Sequence, residues 1–193
     1  QMNMHKLLLT TALSLGLAMP AIAATVASGD KLADNQEYTF WLLDAIKSMD
    51  PQINTDVEGS DVLRGLFEGL YNEDQDGGLV PGVALSHDLS DDKTVYTFHL
   101  RDNAKWSNGD PVTANDFVFS WQRICDPATA AEYAYMLAPV MNAEDVTAGK
   151  KKPDELGVKA VDDMTFEVTL NAPTPYFLEM LTHQATYPVS KAN

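Results

Sequence analysis

The chain has 193 residues, of which 45% are hydrophobic and 21% are charged, and its formal net charge is −15. This length is sufficient for one substantial hydrophobic core or two small ones. The acidic charge argues against nucleic acid and anionic lipid as partners, because both carry negative charge themselves. The 28 Asp and Glu residues are spread along the chain, which is more typical of a solvated surface than of a cation site.

Residues 1–23 have the pattern of a secretory signal peptide. A positive charge at Lys6 precedes an apolar run at 7–18. The small-x-small pattern that follows predicts cleavage between Ala23 and Ala24, with release into the periplasm. A buried or membrane-anchoring helix is the alternative, but the run is short for a membrane span.

The first elements after this segment are predicted from aromatic and apolar spacing. Residues 37–44 (EYTFWLLD) are rich in β-favouring side chains and predict a strand. A loop follows, because Pro51 forces Asp50 out of the helical conformation. Ser60 is then the predicted N-cap of a helix that runs to about Tyr71.

The next stretch contains a loop, an irregular segment and a strand. Residues 72–78 (NEDQDGG) predict an acidic, turn-rich loop. A calcium loop is the alternative, although the EF-hand ligand positions are not filled. Residues 81–92 have no regular pattern and are predicted to be irregular. Residues 95–101 alternate between apolar and polar side chains, which predicts a half-buried strand with His99 on its polar face.

The densest set of local signals lies at 106–123 (WSNGDPVTANDFVFSWQR). The Asn-Gly pair at 108–109 predicts a tight turn, because both residues tolerate positive φ. Thr113 is a suitable N-cap, and Asp116 places a carboxylate three residues later, as in a weakened capping box. Apolar residues then recur at helical spacing until the Asp-Pro pair at 126–127 ends the helix.

Cys125, on the apolar side of this helix, is the only cysteine of the chain. A single cysteine excludes an intrachain disulfide, so the fold must depend on its core. We predict that Cys125 packs in the core as a small hydrophobic side chain. A catalytic thiol is the alternative, but no nearby histidine pattern supports it.

The last third of the chain predicts two short helices and a hairpin. Residues 130–137 are a short helix candidate, and residues 143–156 are charged and loop-like. Residues 158–161 and 164–170, joined by an Asp-Asp turn, predict a β-hairpin. Thr174 is the predicted cap of a final helix, since proline occupies the first position after it. The last dozen residues show no clear element.

No catalytic pattern is present in the sequence. It lacks the HExxH, GxSxG, P-loop and dinucleotide-binding glycine motifs, so neither a metal nor a cofactor is predicted. The carboxylate pairs fall in predicted turns, where Asp is favoured for its own hydrogen bonds. A secreted hydrolase that uses acidic residues is a competing hypothesis, but nothing in the spacing favours it.

Eleven short segments within residues 37–190 occur in the order typical of one known family. They are MDP (49–51), LFEGL (66–70), PGVA (81–84), YTFHLR (96–101), AKWS (104–107), PVTA (111–114), DFV (116–118), SWQR (120–123), LGVKA (156–160), DD (162–163) and PYF (175–177). Together they resemble the family 5 extracellular solute-binding proteins, the periplasmic oligopeptide-binding group of ABC importers. The similarity is greatest to the oligopeptide and murein-peptide binders.

The resemblance implies an α+β fold of the type II periplasmic-binding-protein kind. Residues 24–67 would begin the first lobe, and residues 68–190 would form a small inserted α+β domain. Family members are much longer, with two lobes that close over a ligand and a third domain. The chain therefore resembles an N-terminal fragment, from which the rest of the first lobe and the opposing lobe are absent.

The family's function implies a binding protein without catalysis, and a monomer. An extended oligopeptide would lie between the lobes, paired through main-chain hydrogen bonds, and the closed form would dock on the membrane permease. The ligand-facing positions would be Val57 beside the peptide backbone, Arg64 toward a carbonyl or carboxylate, and Tyr133 with a hydroxyl and a ring. Arg64 as an exposed helix residue and Tyr133 as a core aromatic are the alternatives.

The choice of ligand also stays open within the family. Murein tripeptide, dipeptide, nickel and haem are alternatives to mixed oligopeptides. Thr55 and Asp56 lie where relatives vary, so the sequence leaves the preferred peptide side chains undecided.

Overall fold

The structure is a computed structural model that describes residue 29 and residues 31–192. The predicted signal peptide at 1–23, with its cleavage position between Ala23 and Ala24, lies outside the described residues. The chain divides into two units between Phe40 and Trp41, and every described helix and strand belongs to the second unit. None of the helices in the described part is long and apolar enough to cross a bilayer.

The strand predicted at 37–44 is wrong. These residues have no regular structure, and Trp41 and Leu43 are 89% and 90% exposed. A strand must pair its backbone N–H and C=O groups with a neighbour. No described residue pairs with this segment, so its β-favouring composition is not sufficient to make it a strand.

The second unit combines helices and strands in an α+β arrangement. Its α-helices are α1 (Val57–Leu66), α2 (Ala114–Cys125), α3 (Ala143–Thr147) and α4 (Phe177–Met180). Its strands are β1 (Tyr71–Glu73), β2 (Leu79–Pro81), β3 (Ala84–Leu89), β4 (Val95–Leu100), β5 (Val158–Asp162) and β6 (Thr165–Thr169). Short 3-10 helices occupy Pro127–Thr129, Glu132–Leu137, Pro153–Glu155 and Gln184–Thr186.

The main sheet is antiparallel, with the strand order β3-β4-β6-β5, and β1 and β2 form a separate hairpin. The register places Phe98 directly opposite Phe166, on the buried face. The predicted strand at 95–101 and the predicted hairpin at 158–170 are therefore confirmed. The irregular segment predicted at 81–92 is wrong because it contains β3, whose alternating pattern is interrupted by a bulge between Ala84 and Ser86.

The turn and helix predicted at 106–126 are confirmed. Gly109 has φ +92°, which a residue with a Cβ adopts only with strain. The Asp116 carboxylate accepts the backbone N–H of Thr113 at 2.7 Å, which satisfies a free donor ahead of α2. The helix ends at Cys125, before an extended Asp126.

The core lies between the sheet and α2, and Phe166 is at its centre. Its ring is 5.1 Å from that of Trp121, 5.6 Å from that of Phe117 and 6.2 Å from that of Phe98. All four residues are fully buried. Cys125 is also buried, and this burial raises the pKa of its thiol to about 11. The thiol therefore stays protonated near neutral pH. This confirms the prediction that Cys125 packs in the core as a small hydrophobic side chain.

Two predicted helix starts are wrong because neither predicted hydroxyl accepts a free N–H group of its helix. Asp56, not Ser60, caps α1: its carboxylate accepts the N–H of Gly59 at 2.7 Å, and the helix ends at Leu66. The Thr174 hydroxyl donates to the carbonyl oxygen of Ala172, so α4 begins later, after Tyr176.

Other local predictions are correct only in outline. The helix predicted at 130–137 is a 3-10 helix in which Tyr133 leaves helical geometry, with φ −92° and ψ 16°. The loop predicted at 143–156 contains α3 and a 3-10 turn. The last residues are packed rather than free, because Val189 donates its N–H to the Ser120 hydroxyl at 2.8 Å.

A polar anchor holds the loop before α1 against α2. The Arg123 guanidinium bonds to the Asp50 carboxylate at 2.6 Å and also to the side-chain oxygen of Gln52. The Gln52 side chain is buried and donates to the carbonyl oxygen of Ser120 at 2.6 Å. Arg123 therefore does more than complement the negative end of its own helix.

Replacing Phe166 by Ala should destabilise the chain by about 3–5 kcal/mol, because it leaves a cavity among three packed rings. Val161→Ala, at a 56% exposed position of the same hairpin, is the matched control and should cost about 0.5 kcal/mol or less. Urea unfolding followed by tryptophan fluorescence measures both. Equal losses would contradict the placement of the core.

Candidate functional site

The exposed face of α1 carries two of the three predicted ligand residues. Val57, Asp61 and Arg64 follow one another at helical spacing, while Gly59 and Leu63 are buried on the other side. Val57 is 70% exposed. Arg64 lies 3.6 Å from the Asp61 carboxylate, with 57% of its side chain exposed. An exposed ion pair of this kind is weak, so the guanidinium can exchange this partner for another.

A buried hydrogen-bond network fixes the position of α1. The Asn54 amide donates to the Asp56 carboxylate at 2.8 Å, and that carboxylate caps the helix. The Ser60 hydroxyl lies 2.9 Å from the side-chain oxygen of Asn54 and accepts the Gln184 amide at 2.9 Å. The N–H of Gly59 lowers the pKa of Asp56 and keeps it ionised at neutral pH. The network therefore joins α1 to the last described residues.

Tyr133 lies at the edge of the core rather than inside it. Its side chain is half-buried and packs against the core, and its ring is 4.8 Å from that of His183 and 5.8 Å from that of Tyr135. The non-helical backbone at Tyr133 separates it from the regular turn that follows. The alternative of a fully buried core aromatic therefore does not describe this residue.

His183 connects the Tyr133 side of the site to the Arg64 side. Burial lowers the pKa of His183, and the positive charge of Arg64 lowers it further. Burial raises the pKa of the Tyr187 hydroxyl, and the positive charge of Arg64 acts against this by lowering it. Arg64 therefore lies close enough to residues 183–187 to affect their titration.

Tyr133 packs against His183, and the Ser60–Gln184 hydrogen bond holds α1 next to the same segment, so Arg64 and Tyr133 lie in one region of the second unit. Val57 lies on the same helix face as Arg64, toward the other end of α1. Whether these residues contact a ligand stays a prediction. No local sequence signal indicates His183, because its neighbours come from two distant parts of the chain.

The two surface grooves found in the described part of the chain lie elsewhere. They have volumes of about 290 and 360 Å³ and share Tyr135, Ala138 and Glu144. Neither groove includes Val57, Arg64 or Tyr133.

The acidic loop at 72–78 binds its own backbone. One oxygen of the Asp74 carboxylate accepts the N–H groups of Asp76 and Gly78 at 2.9 and 2.7 Å. This is the hydrogen bonding expected of Asp in a tight loop. Among residues 31–192, no group of three or more His, Cys, Asp or Glu side chains is placed to hold a metal ion.

The fold and the sequence together identify the family. The profile of the bacterial extracellular solute-binding proteins, family 5 Middle, matches residues 78–193. This match covers more than half of the chain, so the chain belongs to the bacterial extracellular solute-binding proteins of family 5. The family groups solute-binding proteins and is not an enzyme class. The predicted α+β fold of the type II periplasmic-binding-protein kind is confirmed.

Individual relatives are similar over most of the chain. The periplasmic oligopeptide-binding protein OppA of Salmonella typhimurium is 50% identical over 177 residues, which are 91% of this chain and 32% of the relative. The crystal structure of Haemophilus influenzae OppA in complex with RPPGFSPFR is 51% identical, with a TM-score of 0.73 over 75% of this chain and 29% of that chain. The Escherichia coli murein tripeptide binding protein MppA is 46% identical, with a TM-score of 0.75 over 77% and 30%.

The chain spans about a third of the length of the curated relatives that it matches. The predicted boundaries, with a first-lobe segment at 24–67 and an inserted domain at 68–190, remain predictions.

Two glycines of α1 provide a matched test of the network around Asn54. A Cβ at Gly59 would lie 2.0 Å from the Asn54 amide nitrogen, whereas a Cβ at Gly65 would meet nothing within 4 Å. Gly59→Ala should therefore destabilise the chain by about 1–3 kcal/mol. Gly65→Ala should stabilise it by about 0.5–1 kcal/mol through helix propensity. Urea unfolding compares them, and a loss of stability in both variants would contradict the close packing at Gly59.

The lowered pKa of His183 predicts a pH dependence of stability. Because protonation is disfavoured in the folded chain, the unfolded chain binds more protons as pH falls below about 6.5. The free energy of unfolding should then fall between pH 7 and pH 5. His183→Asn, whose oxygen can still accept the Ala185 N–H, should reduce this slope by at most about 1.4 kcal/mol per pH unit.

Urea midpoints of both proteins at pH 7, 6 and 5 measure the difference between the two slopes. Parallel pH profiles would show that His183 does not carry this dependence.

Proposed function

We propose that the protein is the periplasmic substrate-binding component of an ABC peptide importer. It binds extended oligopeptides between two lobes, as a monomer, and delivers them to the membrane permease. The observation that carries the proposal is the exposed face of α1, which presents Val57 and Arg64 together. Its support from relatives is the similarity to a Haemophilus influenzae OppA whose structure contains a peptide.

The chemistry of this surface suits a peptide main chain. Arg64 supplies a charge-assisted hydrogen bond to a carbonyl or carboxylate oxygen. Tyr133 offers a hydroxyl and part of a ring, and Val57 offers an apolar contact without a competing polar group. Main-chain bonds provide affinity in this mode, while hydrated pockets accept varied side chains.

The arrangement of this chain in the whole protein is part of the proposal. Residues 24–67 begin the first lobe, and residues 68–190 form the inserted domain that supports it. An opposing lobe covers the ligand on closure, and the closed form docks on the permease. The proposal includes secretion, with signal peptide cleavage after Ala23.

A murein peptide is the second candidate ligand. The similarity to the Escherichia coli murein tripeptide binding protein MppA favours it. Arg64 is consistent with either choice, since both ligands carry carboxylates and carbonyl groups. Dipeptide, nickel and haem are further alternatives from the family, and a hydrolase is the alternative outside it.

The test uses a chimera in which residues 24–193 replace the matching third of Salmonella typhimurium OppA. Mass spectrometry of ligands that co-purify with it should detect mixed oligopeptides. One defined murein peptide would support the second candidate instead. Turnover of a bound peptide or glycan would contradict a binding-only function.

Arg64→Gln in the chimera should weaken binding of a tripeptide about 10- to 100-fold, because a hydrogen bond to a charged group contributes about 1.5–3 kcal/mol. Lys159→Gln is the control, since Lys159 is exposed on β5 and pairs with Glu167 on the sheet. Isothermal titration calorimetry measures both variants. Unchanged affinity in Arg64→Gln would contradict the placement of the site.

A further inference from the structure

We propose that Arg123 is a positioning residue for the predicted ligand surface of α1. Through its contacts with the loop before α1, it sets the orientation of that helix and therefore the place where the Arg64 guanidinium meets a peptide oxygen. The inference rests on the proposed function and extends it to the segments MDP (49–51) and SWQR (120–123). Both segments contribute to the family resemblance, and neither contains a predicted ligand residue.

The first observation is the geometry of the contact between these two segments. Two guanidinium nitrogens of Arg123 donate to the two oxygens of the Asp50 carboxylate, at 2.6 and 3.3 Å. One of these nitrogens also donates to the side-chain oxygen of Gln52. The side chains of Arg123 and Asp50 are 31% and 30% exposed, so salt screens this pair less than a fully exposed one. A planar guanidinium fixes the direction of such a fork as well as its length.

The second observation is the burial of Gln52, which is 1% exposed. Its amide nitrogen donates to the carbonyl oxygen of Ser120 at 2.6 Å. Within residues 31–192, its side-chain oxygen bonds only to Arg123. A buried oxygen that loses its donor is costly, so the loop must shift toward another donor or admit water when Arg123 is removed.

The third observation is a short hydrogen-bonded path from this contact to α1. The Asp50 carbonyl oxygen accepts the N–H groups of Ile53 and Asn54, at 3.1 and 2.9 Å. The Asp50 carboxylate also accepts the N–H of Gln52 at 2.9 Å. Asn54 is fully buried, and its amide donates to the Asp56 carboxylate that caps α1. A shift of Asp50 is therefore passed to the first turn of the helix.

The length of α1 sets the size of the expected effect. Arg64 lies eight positions after the cap at Asp56, which is about 12 Å along the helix axis. A tilt of about 5° at the first turn therefore moves the backbone of Arg64 by about 1 Å. Hydrogen bonds weaken when their distance and angle leave a narrow range. The long Arg64 side chain can follow part of this shift, so the loss should be smaller than that from removing its guanidinium.

Arg123→Gln in the chimera described above should weaken tripeptide binding about two- to fivefold, because the loop is released while Arg64 is retained. Arg123→Lys keeps a positive charge beside Asp50 without the fork, so it should restore part of that loss. Arg123→Gln should add almost nothing in an Arg64→Gln background. Two residues that act through one contact have non-additive effects, whereas a general loss of stability would weaken binding in both backgrounds.

Calorimetry measures the affinities, and urea unfolding shows that each variant is folded under the conditions of titration. Tyr71→Phe is the control for a loss of stability alone. It removes the 2.7 Å hydrogen bond between Tyr71 and His87, which joins β1 to β3, and its affinity should equal that of the unsubstituted chimera.

Unchanged affinity in Arg123→Gln would show that the inference is wrong while the proposed function stands. If the losses from Arg123→Gln and Arg64→Gln multiply in the double variant, Arg123 acts independently of Arg64, which also overturns the inference. If the unsubstituted chimera binds no peptide, the proposed function and this inference fail together.

Discussion

The hydrogen bond from the Gln184 amide to the Ser60 hydroxyl connects two parts of the chain that are far apart in sequence. Ser60 also lies against Asn54, and Asn54 bonds to the carboxylate that caps α1. Asn54, Asp56 and Gln184 are buried, so the loss of a partner leaves a costly unpaired group. The direction of the exposed helix face, and with it the position of Arg64, depends on this network. Apolar packing alone would let a ten-residue helix rotate or slide, whereas directional bonds fix one orientation.

The aromatic core has a different role from that network. The rings around Phe166 stabilise the sheet against α2. The region 106–126, with the densest local signals, belongs to this scaffold. Its turn, cap and buried Trp121 are explained by folding, and Trp121 donates its indole N–H to the carbonyl of Thr186 at 2.9 Å. That bond joins α2 to the segment that follows His183.

The parts that the sequence predicted are those whose causes are local. The hairpin at 158–170 and the turn and cap before α2 follow from residues within a few positions of one another. The failures have non-local causes. The segment at 37–44 lacks a pairing partner among the described residues, and β3 is an edge strand whose bulge breaks the alternating pattern. Arg64 and Tyr133 were inferred from family resemblance, whereas the contact between Tyr133 and His183 became visible only in the fold.

The length of α1 limits what its exposed face could bind alone. Seven residues of helix separate Val57 from Arg64, which corresponds to about 10 Å along the helix axis. An extended peptide covers this distance with about three residues. A contact of that length on one side leaves most of the ligand in water, and the binding energy must first offset the entropy lost on association. A few hydrogen-bond donors on an open face therefore give weak affinity alone. Exclusion of water by an opposing surface strengthens hydrogen bonds of this kind, because their electrostatic energy rises in a medium of low dielectric constant.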